Sequence, residues 1–155
     1  MSVPTFNDIP TNINALIKAH IKQYFTEPEK AHMWDATPLG LPGEVTTLLL
    51  TTIGRKSGEQ RHVPLLYVDH GDGYLIMGSK GGNPDHPVWF LNLLANPECE
   101  IRVSTRHTKA RARVLEGDER ALAWTEVTER HPVYAKYQSR VGREIPVVLL
   151  EPIAG

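Results

Sequence analysis

The first recurring pattern along the chain is an apolar stripe with the spacing of a helix. Its members, which share one helical face, are Ile13, Leu16, Ile17, Ile21, Tyr24 and Phe25. The stripe predicts an N-terminal amphipathic helix over about residues 12–26, with Lys18 and Lys22 beside the stripe. Prolines and glycines then punctuate residues 27–43, and this composition favours an extended crossover over a regular element.

From Val45 onward the pattern changes to that of β-strands. Three apolar and β-branched runs, VTTLLLTTI, HVPLLYV and YLIMG, are separated by the turns GRKSG and HGDG, which predicts a meander of antiparallel strands. CEIRVS and KARARVL alternate apolar with polar residues and IPVVLLE is mostly apolar, so each run predicts a further strand. Helices are predicted over 88–95 and about 118–130, and a further short helix or turn is predicted over 131–142.

The order of these elements indicates the fold class. Antiparallel strands joined by short turns and interrupted by helices favour a small closed or split β-barrel, because closure removes exposed sheet edges. The length of 155 residues is close to that of one average domain. We therefore expect a single domain over residues 1–155, mainly antiparallel β with flanking helices.

Composition and charge exclude several classes of function. Hydrophobic residues make up 41% and charged residues 23% of the chain, which is typical of a folded protein. The net charge is −1, from 17 Lys and Arg against 18 Asp and Glu, so a bulk nucleic-acid binder is not expected. No apolar run approaches the length of a membrane span. A single cysteine, Cys99, and a start without the features of a signal peptide predict a cytoplasmic protein.

Two loops have the composition of anion-binding sites. GRKSGEQR, residues 54–61, places Arg55, Lys56 and Arg61 around a hairpin turn flanked by glycines, although a solvated basic turn has the same composition. SKGGNPDHP, residues 79–87, adds Lys80 and two glycines before a helix N-terminus, where the helix dipole favours negative charge. Two such loops suggest one long anionic ligand.

Aromatic side chains at helical spacing are the other candidates. Trp89 and Asn92 share one face of the short helix, either as a binding surface or as a core tryptophan with a capping asparagine. Tyr134 and Tyr137 also lie three residues apart, and their hydroxyls either reach a bound carbonyl or nitro group or only pack. The seven histidines show no metal-ligand spacing, so no metal site is expected.

Three ordered blocks of the sequence resemble the deazaflavin-dependent nitroreductase family, including its F420H2-dependent quinone reductases. They are LLLTTIGRKSGEQRHVPLLYV, GSKGGNPDHPVWFLNLLANPE and HPVYAKYQSR followed by IPVVLLEP, and they extend from about Val45 to Pro152. The resemblance implies a split β-barrel of the FMN-binding type. It also implies that the chain binds coenzyme F420, an 8-hydroxy-5-deazaflavin whose tail carries a phosphodiester and glutamate carboxylates.

The resemblance assigns roles by motif position. The phosphate and polyglutamate tail would be held by Arg55, Lys56, Ser57 and Arg61. The remainder of the cofactor would be surrounded by Pro64, Ser79, Lys80, Gly81, Trp89 and Asn92. Tyr134 and Tyr137 match tyrosines that lie on the substrate side in the family.

The function implied by the resemblance is hydride transfer from reduced F420 to a small electron acceptor. The acceptor would be a quinone, the activated C=C bond of an enoate or coumarin-type lactone, or a nitroaromatic. Two alternatives are open at this point, an FMN-dependent split-barrel reductase and a non-catalytic carrier of a deazaflavin or a lipid. Lys18 and Lys22 beside the apolar stripe also suggest peripheral membrane contact, with packing against the barrel as the alternative. The sequence predicts no oligomeric state.

Overall fold

The computed structural model describes residues 13–36, 43–79 and 84–153. Its helices are α1 (Ile13–Thr26), α2 (Pro28–His32), α3 (Val88–Ala95), α4 (Gly117–Arg130) and α5 (Val133–Arg140). Its strands are β1 (Met33–Asp35), β2 (Glu44–Ile53), β3 (Gln60–Leu66), β4 (Val68–His70), β5 (Gly73–Met77), β6 (Glu98–Val103), β7 (Arg106–Val114) and β8 (Val147–Pro152). The predicted N-terminal helix, strand meander and helix at 88–95 are confirmed.

The strands pair antiparallel in one eight-stranded sheet with the order β1-β2-β6-β7-β8-β5-β4, and β3 pairs with β2. Only Tyr67 separates β3 from β4. The run from β3 to β4 therefore pairs with β2 at its start and with β5 at its end. This double pairing curls the sheet into a split barrel, so the predicted fold class, mainly antiparallel β with flanking helices, is confirmed.

Strand β2 is buried on both of its faces. Leu48 and Leu50 belong to the main core cluster, together with Trp89 and Phe90 of α3. Leu49 points the other way, into a small cluster with Tyr24 of α1 and Ala31 of α2. Because helices cover one face and the core covers the other, the centre of the strand, Leu48–Leu49–Leu50, is continuously apolar rather than alternating. A second large cluster packs α4 and α5 against β5 and β8.

The expectation of an irregular crossover over residues 27–43 is wrong for its first half. Helix α2 begins at Pro28 and strand β1 follows it directly. The proline stands at the start of the helix, where its fixed φ angle suits a helical turn and its missing N–H costs no hydrogen bond. Strand β1 pairs with β2 from Met33↔Thr46 to Asp35↔Glu44. Residues 37–42 lie outside the described residues.

The apolar stripe of α1 is used in part for packing, whereas its Phe25 is 49% exposed. Tyr24 is buried and forms a small cluster with Ala31 and Leu49. Ile21 packs against this cluster. The Thr47 hydroxyl, which is hydrogen-bonded to the Tyr24 hydroxyl, donates to the Ala31 carbonyl at 3.0 Å. The structure thus supports packing against the barrel, the alternative to peripheral membrane contact. No helix within the described residues is long and apolar enough to cross a membrane.

Candidate functional site

A cleft of about 650 Å³ lies where α1, β2, β3, α3 and α5 meet. Its walls include several of the predicted site residues, namely Arg61, Ser79, Trp89, Asn92 and Tyr134. These residues come from four separate stretches of the sequence, and the barrel brings them to one place. Ile17 of α1 and Thr52 of β2 complete the wall beside them.

The turn between β2 and β3 presents its cations to solvent. Gly54 N donates to the Glu59 carbonyl and Gly58 N donates to the Gly54 carbonyl, both at 2.8 Å. Gly58 has a φ angle of +72°, a conformation that favours glycine. A Cβ on Gly54 would lie 2.6 Å from the Ser57 hydroxyl oxygen, a contact that a rotation of the serine side chain relieves. Arg55, Lys56 and Ser57 are exposed as a consequence.

Arg61 joins this turn at its second strand. Its Nη2 lies 3.5 Å from the Ser57 hydroxyl oxygen and 3.5 Å from a carboxylate oxygen of Glu59. The Ser57 oxygen also accepts from the backbone N–H of Glu59 at 3.1 Å. Arg61, which lines the cleft, is therefore held at the same turn as the exposed Arg55 and Lys56, beside the exposed carboxylate of Glu59. This arrangement suits an extended anion.

Asn92 attaches the turn to α3. Its side-chain oxygen accepts from the backbone N–H of Arg55 at 3.2 Å and from the Arg55 guanidinium at 3.4 Å. Its side-chain nitrogen donates to the Thr52 hydroxyl at 3.1 Å. Asn92 is 2% exposed and Thr52 is 1% exposed, so water is excluded from these hydrogen bonds. The asparagine acts on the cationic turn by fixing its position.

Trp89 and Ser79 form a buried part of the wall. Trp89 packs edge-on against Phe90, with 6.2 Å between ring centroids, and belongs to the main core cluster. It also lines the cleft, so the binding-surface and core interpretations both describe part of this residue. Ser79 follows β5 and is buried as well. Together they offer a flat apolar surface and a hydroxyl group.

The two candidate tyrosines of α5 are in contact but face different surroundings. Their ring centroids lie 5.9 Å apart at an interplanar angle of 77°. Both pack in the second large core cluster, but Tyr134 also lines the cleft, whereas Tyr137 is not among the described lining residues. Burial raises the pKa of both phenols. Each hydroxyl therefore keeps its proton at neutral pH and can donate a hydrogen bond.

Five predicted site residues within the described ranges are not among the described lining residues: Arg55, Lys56, Ser57, Pro64 and Tyr137. Pro64 lies within β3 opposite Leu49. Lys80 and Gly81 lie outside the described residues. In the described ranges, no group of three or more His, Cys, Asp or Glu side chains could hold a metal ion.

Besides Thr52, one polar residue of the cleft was not predicted from the sequence, His62. It follows Arg61 in β3, and its Nδ1 lies 2.7 Å from the Thr51 hydroxyl oxygen. Its ring contacts Phe25 of α1 edge-on, with 5.4 Å between centroids. Burial, and then the positive charge of Arg102, lower the pKa of His62, so the imidazole is neutral at neutral pH. A polar residue at the start of the apolar run HVPLLYV was the available signal.

The comparisons with known proteins identify the family. A family model for F420H2-dependent quinone reductases matches residues 28–152. The chain belongs to this family. The match confirms the resemblance seen in the sequence, and with it an oxidoreductase that uses coenzyme F420. It favours this assignment over the FMN-dependent and carrier alternatives.

Individual relatives agree with the family assignment. An F420H2-dependent quinone reductase of Mycobacterium tuberculosis strain H37Rv is 42% identical over 113 residues, which are 71% of this chain and 76% of the relative. A solved F420H2-dependent reductase is 42% identical with a TM-score of 0.63, covering 68% of this chain and 93% of the other. A solved structure described as a domain-swapped dimer is 32% identical with a TM-score of 0.66, covering 90% of this chain and 99% of the other.

Proposed function

We propose that this family member binds reduced F420 in the cleft and transfers its hydride to a quinone. The observation that carries the proposal is that one cleft is lined by Arg61 of the cationic turn, by the Trp89 ring and by a protonated tyrosine, Tyr134, while Asn92 docks the turn beside it. The relatives named quinone reductases support the acceptor class. Activated enoates, coumarin-type lactones and nitroaromatics share the electron-poor character of a quinone, and we propose them as further acceptors.

The residues of the cleft fit the chemistry of the cofactor. Arg55, Lys56 and Arg61 would form charge-assisted hydrogen bonds with the phosphodiester and carboxylates of its tail. Trp89 would pack against the flat deazaflavin ring, and the Ser79 hydroxyl is a hydrogen-bond partner for its polar edge. F420 supplies the hydride when bound, so the protein's task is to place the acceptor and exclude water.

Tyr134 has the position and protonation state to assist the acceptor. Its hydroxyl stays protonated, and the residue lines the cleft. A hydrogen bond from this hydroxyl to the acceptor oxygen stabilises negative charge that develops during reduction. Tyr137 supports the Tyr134 ring from the core side, so its effect on the acceptor is indirect.

The first test is a pair of titrations, one with F420 and one with FMN, in which fluorescence quenching measures binding. We expect a dissociation constant for F420 in the micromolar range or below, with FMN weaker, because the three cations match a tail longer than one phosphate. Equal or tighter binding of FMN would contradict the cofactor assignment. Turnover with reduced F420 and a quinone then tests the activity.

The second test compares Tyr134→Phe with Tyr137→Phe, which is its matched control. Each substitution removes one hydroxyl and keeps the ring. We expect Tyr134→Phe to lower kcat/KM for the quinone by a few-fold to a hundredfold, the range for one hydrogen bond that strengthens as charge develops. Tyr137→Phe should change it less, and neither should change F420 affinity. Equal decreases of kcat/KM in the two variants would contradict the assignment of Tyr134, and not Tyr137, as the hydroxyl that assists the acceptor.

A further inference from the structure

Arg143, in the segment between α5 and β8, binds the backbone of the cleft wall. One guanidinium nitrogen, Nη1, donates to the Gly78 carbonyl at 3.0 Å, and Nη2 donates to the Ser79 carbonyl at 3.1 Å. Nη1 also lies 3.1 Å from Nδ1 of His86. The planar fork of a guanidinium suits two neighbouring acceptors of this kind.

These contacts join two segments of the cleft wall. Ser79 follows β5 and lines the cleft. His86 precedes Pro87 and α3, whose Trp89 and Asn92 line the cleft as well. A single side chain therefore connects the end of β5 with the segment that leads into α3.

The segment that carries Arg143 is itself held closely. Gly78 N donates to the Pro146 carbonyl at 2.9 Å, and a Cβ on Gly78 would lie 2.6 Å from the Pro146 ring. From α5, the Gln138 side chain donates to the Arg143 carbonyl and accepts from the backbone N–H of Ile145, both at 2.8 Å. The helix that carries Tyr134 is thus tied to the same anchor.

We propose that Arg143 is a positioning residue that holds the Ser79 and Trp89 segments of the cleft wall in the arrangement that binds F420. The inference rests on the proposed function, since it assumes that F420 binds in this cleft. Arg143 acts through the backbone that it holds, because its guanidinium donates to protein carbonyls. A wall fixed before binding avoids the entropy cost of ordering it around the cofactor.

The test compares Arg143→Met, Arg143→Lys and Arg120→Met in the full chain. Arg143→Met removes the fork and keeps much of the stem, whereas Arg143→Lys keeps the charge but loses the paired geometry. Arg120 of α4 is the matched control, because its Nη2 donates at 2.6 Å to the Ile145 carbonyl of the same segment. Three quantities are measured: F420 affinity by fluorescence quenching, thermal stability, and amide hydrogen exchange without cofactor.

We expect Arg143→Met to weaken F420 binding about tenfold or more, since two charge-assisted hydrogen bonds that fix the wall are lost. Exchange should become faster in both 74–79 and 84–93. Arg143→Lys should give an intermediate affinity. Arg120→Met should lower thermal stability while its F420 affinity stays within about twofold of the wild-type value.

The results separate this inference from the proposed function. If the wild-type protein does not bind F420, the proposed function fails, and unchanged exchange in Arg143→Met would overturn the anchoring role independently. If the wild type binds F420 and Arg143→Met binds it equally well, the positioning role is wrong. Equal losses of affinity in Arg143→Met and Arg120→Met would assign both arginines a general structural role. If Arg143→Met does not fold, the F420 affinity of Arg143→Lys is compared with those of the wild type and Arg120→Met in the same way.

Discussion

Replacement of Asn92 by alanine tests how the cationic turn is held. The side chain makes hydrogen bonds at 3.1 Å to Thr52 and 3.2 Å to the Arg55 backbone, and a longer one at 3.4 Å to the Arg55 guanidinium. Each neutral bond of ordinary length contributes a net 0.5–1.5 kcal/mol, or roughly 1 kcal/mol. The Thr52 hydroxyl is buried and would lose this partner, which adds to the cost.

We therefore expect Asn92→Ala to lower the free energy of unfolding by about 1.5–3 kcal/mol. In a chain of 155 residues, this corresponds to a fall in Tm of roughly 4–10 °C. The F420 dissociation constant should rise several-fold as well, because a detached turn must be ordered again when the anionic tail binds. Urea unfolding gives the stability, and fluorescence quenching gives the affinity.

A double-mutant cycle isolates the Asn92–Thr52 bond. Thr52→Val removes the hydroxyl and keeps the shape, and the coupling energy with Asn92→Ala should be about 0.5–1.5 kcal/mol. Asn96→Ala is the control, since Asn96 lies at the end of α3 and accepts one exposed hydrogen bond from Glu98 N at 3.1 Å. It should change stability by less than about 0.5 kcal/mol. A coupling energy near zero, or reduced stability with unchanged F420 affinity, would refute the anchoring argument.

Three further predictions concern charge and pH. Lys56→Ala should raise the F420 dissociation constant roughly tenfold without lowering Tm, because Lys56 is exposed. Lys109→Ala on β7 is the control. Equal F420 affinities of the wild type and Lys56→Ala would mean that the turn is only solvated. Burial lowers the pKa of His20 from its usual 6.5. As the pH falls below 6.5, His20 therefore becomes protonated more readily in the unfolded chain than in the folded chain. Unfolding free energy should therefore fall from about pH 7 to pH 5, and His20→Gln should reduce that slope, as urea titrations can show. Finally, the protein should not co-sediment with anionic vesicles at low salt, since the α1 stripe packs against the barrel; co-sedimentation would support membrane contact.

Local pattern was sufficient for most elements because their signals are short-range. The β-branched run of β2 and the proline after α3 mark those elements without knowledge of their neighbours. The crossover was less well predicted because proline is ambiguous, as it both interrupts helices and begins them. Pro28 begins α2, and β1 exists because β2 offers it a pairing edge. The availability of that edge depends on the tertiary structure, so the positions of the prolines do not predict it.

The candidate site shows the same division between local and tertiary information. Arg55, Lys56 and Arg61 were identifiable from sequence because an anion needs several cations close together, and a hairpin turn supplies them from one short stretch. Asn92 reaches that turn across 37 positions, and Arg143 reaches Gly78 across 65. Neither contact can be predicted from the spacing of residues along the sequence. Residues that meet a ligand are found by their chemistry, whereas residues that hold them in place are found only once the barrel has closed.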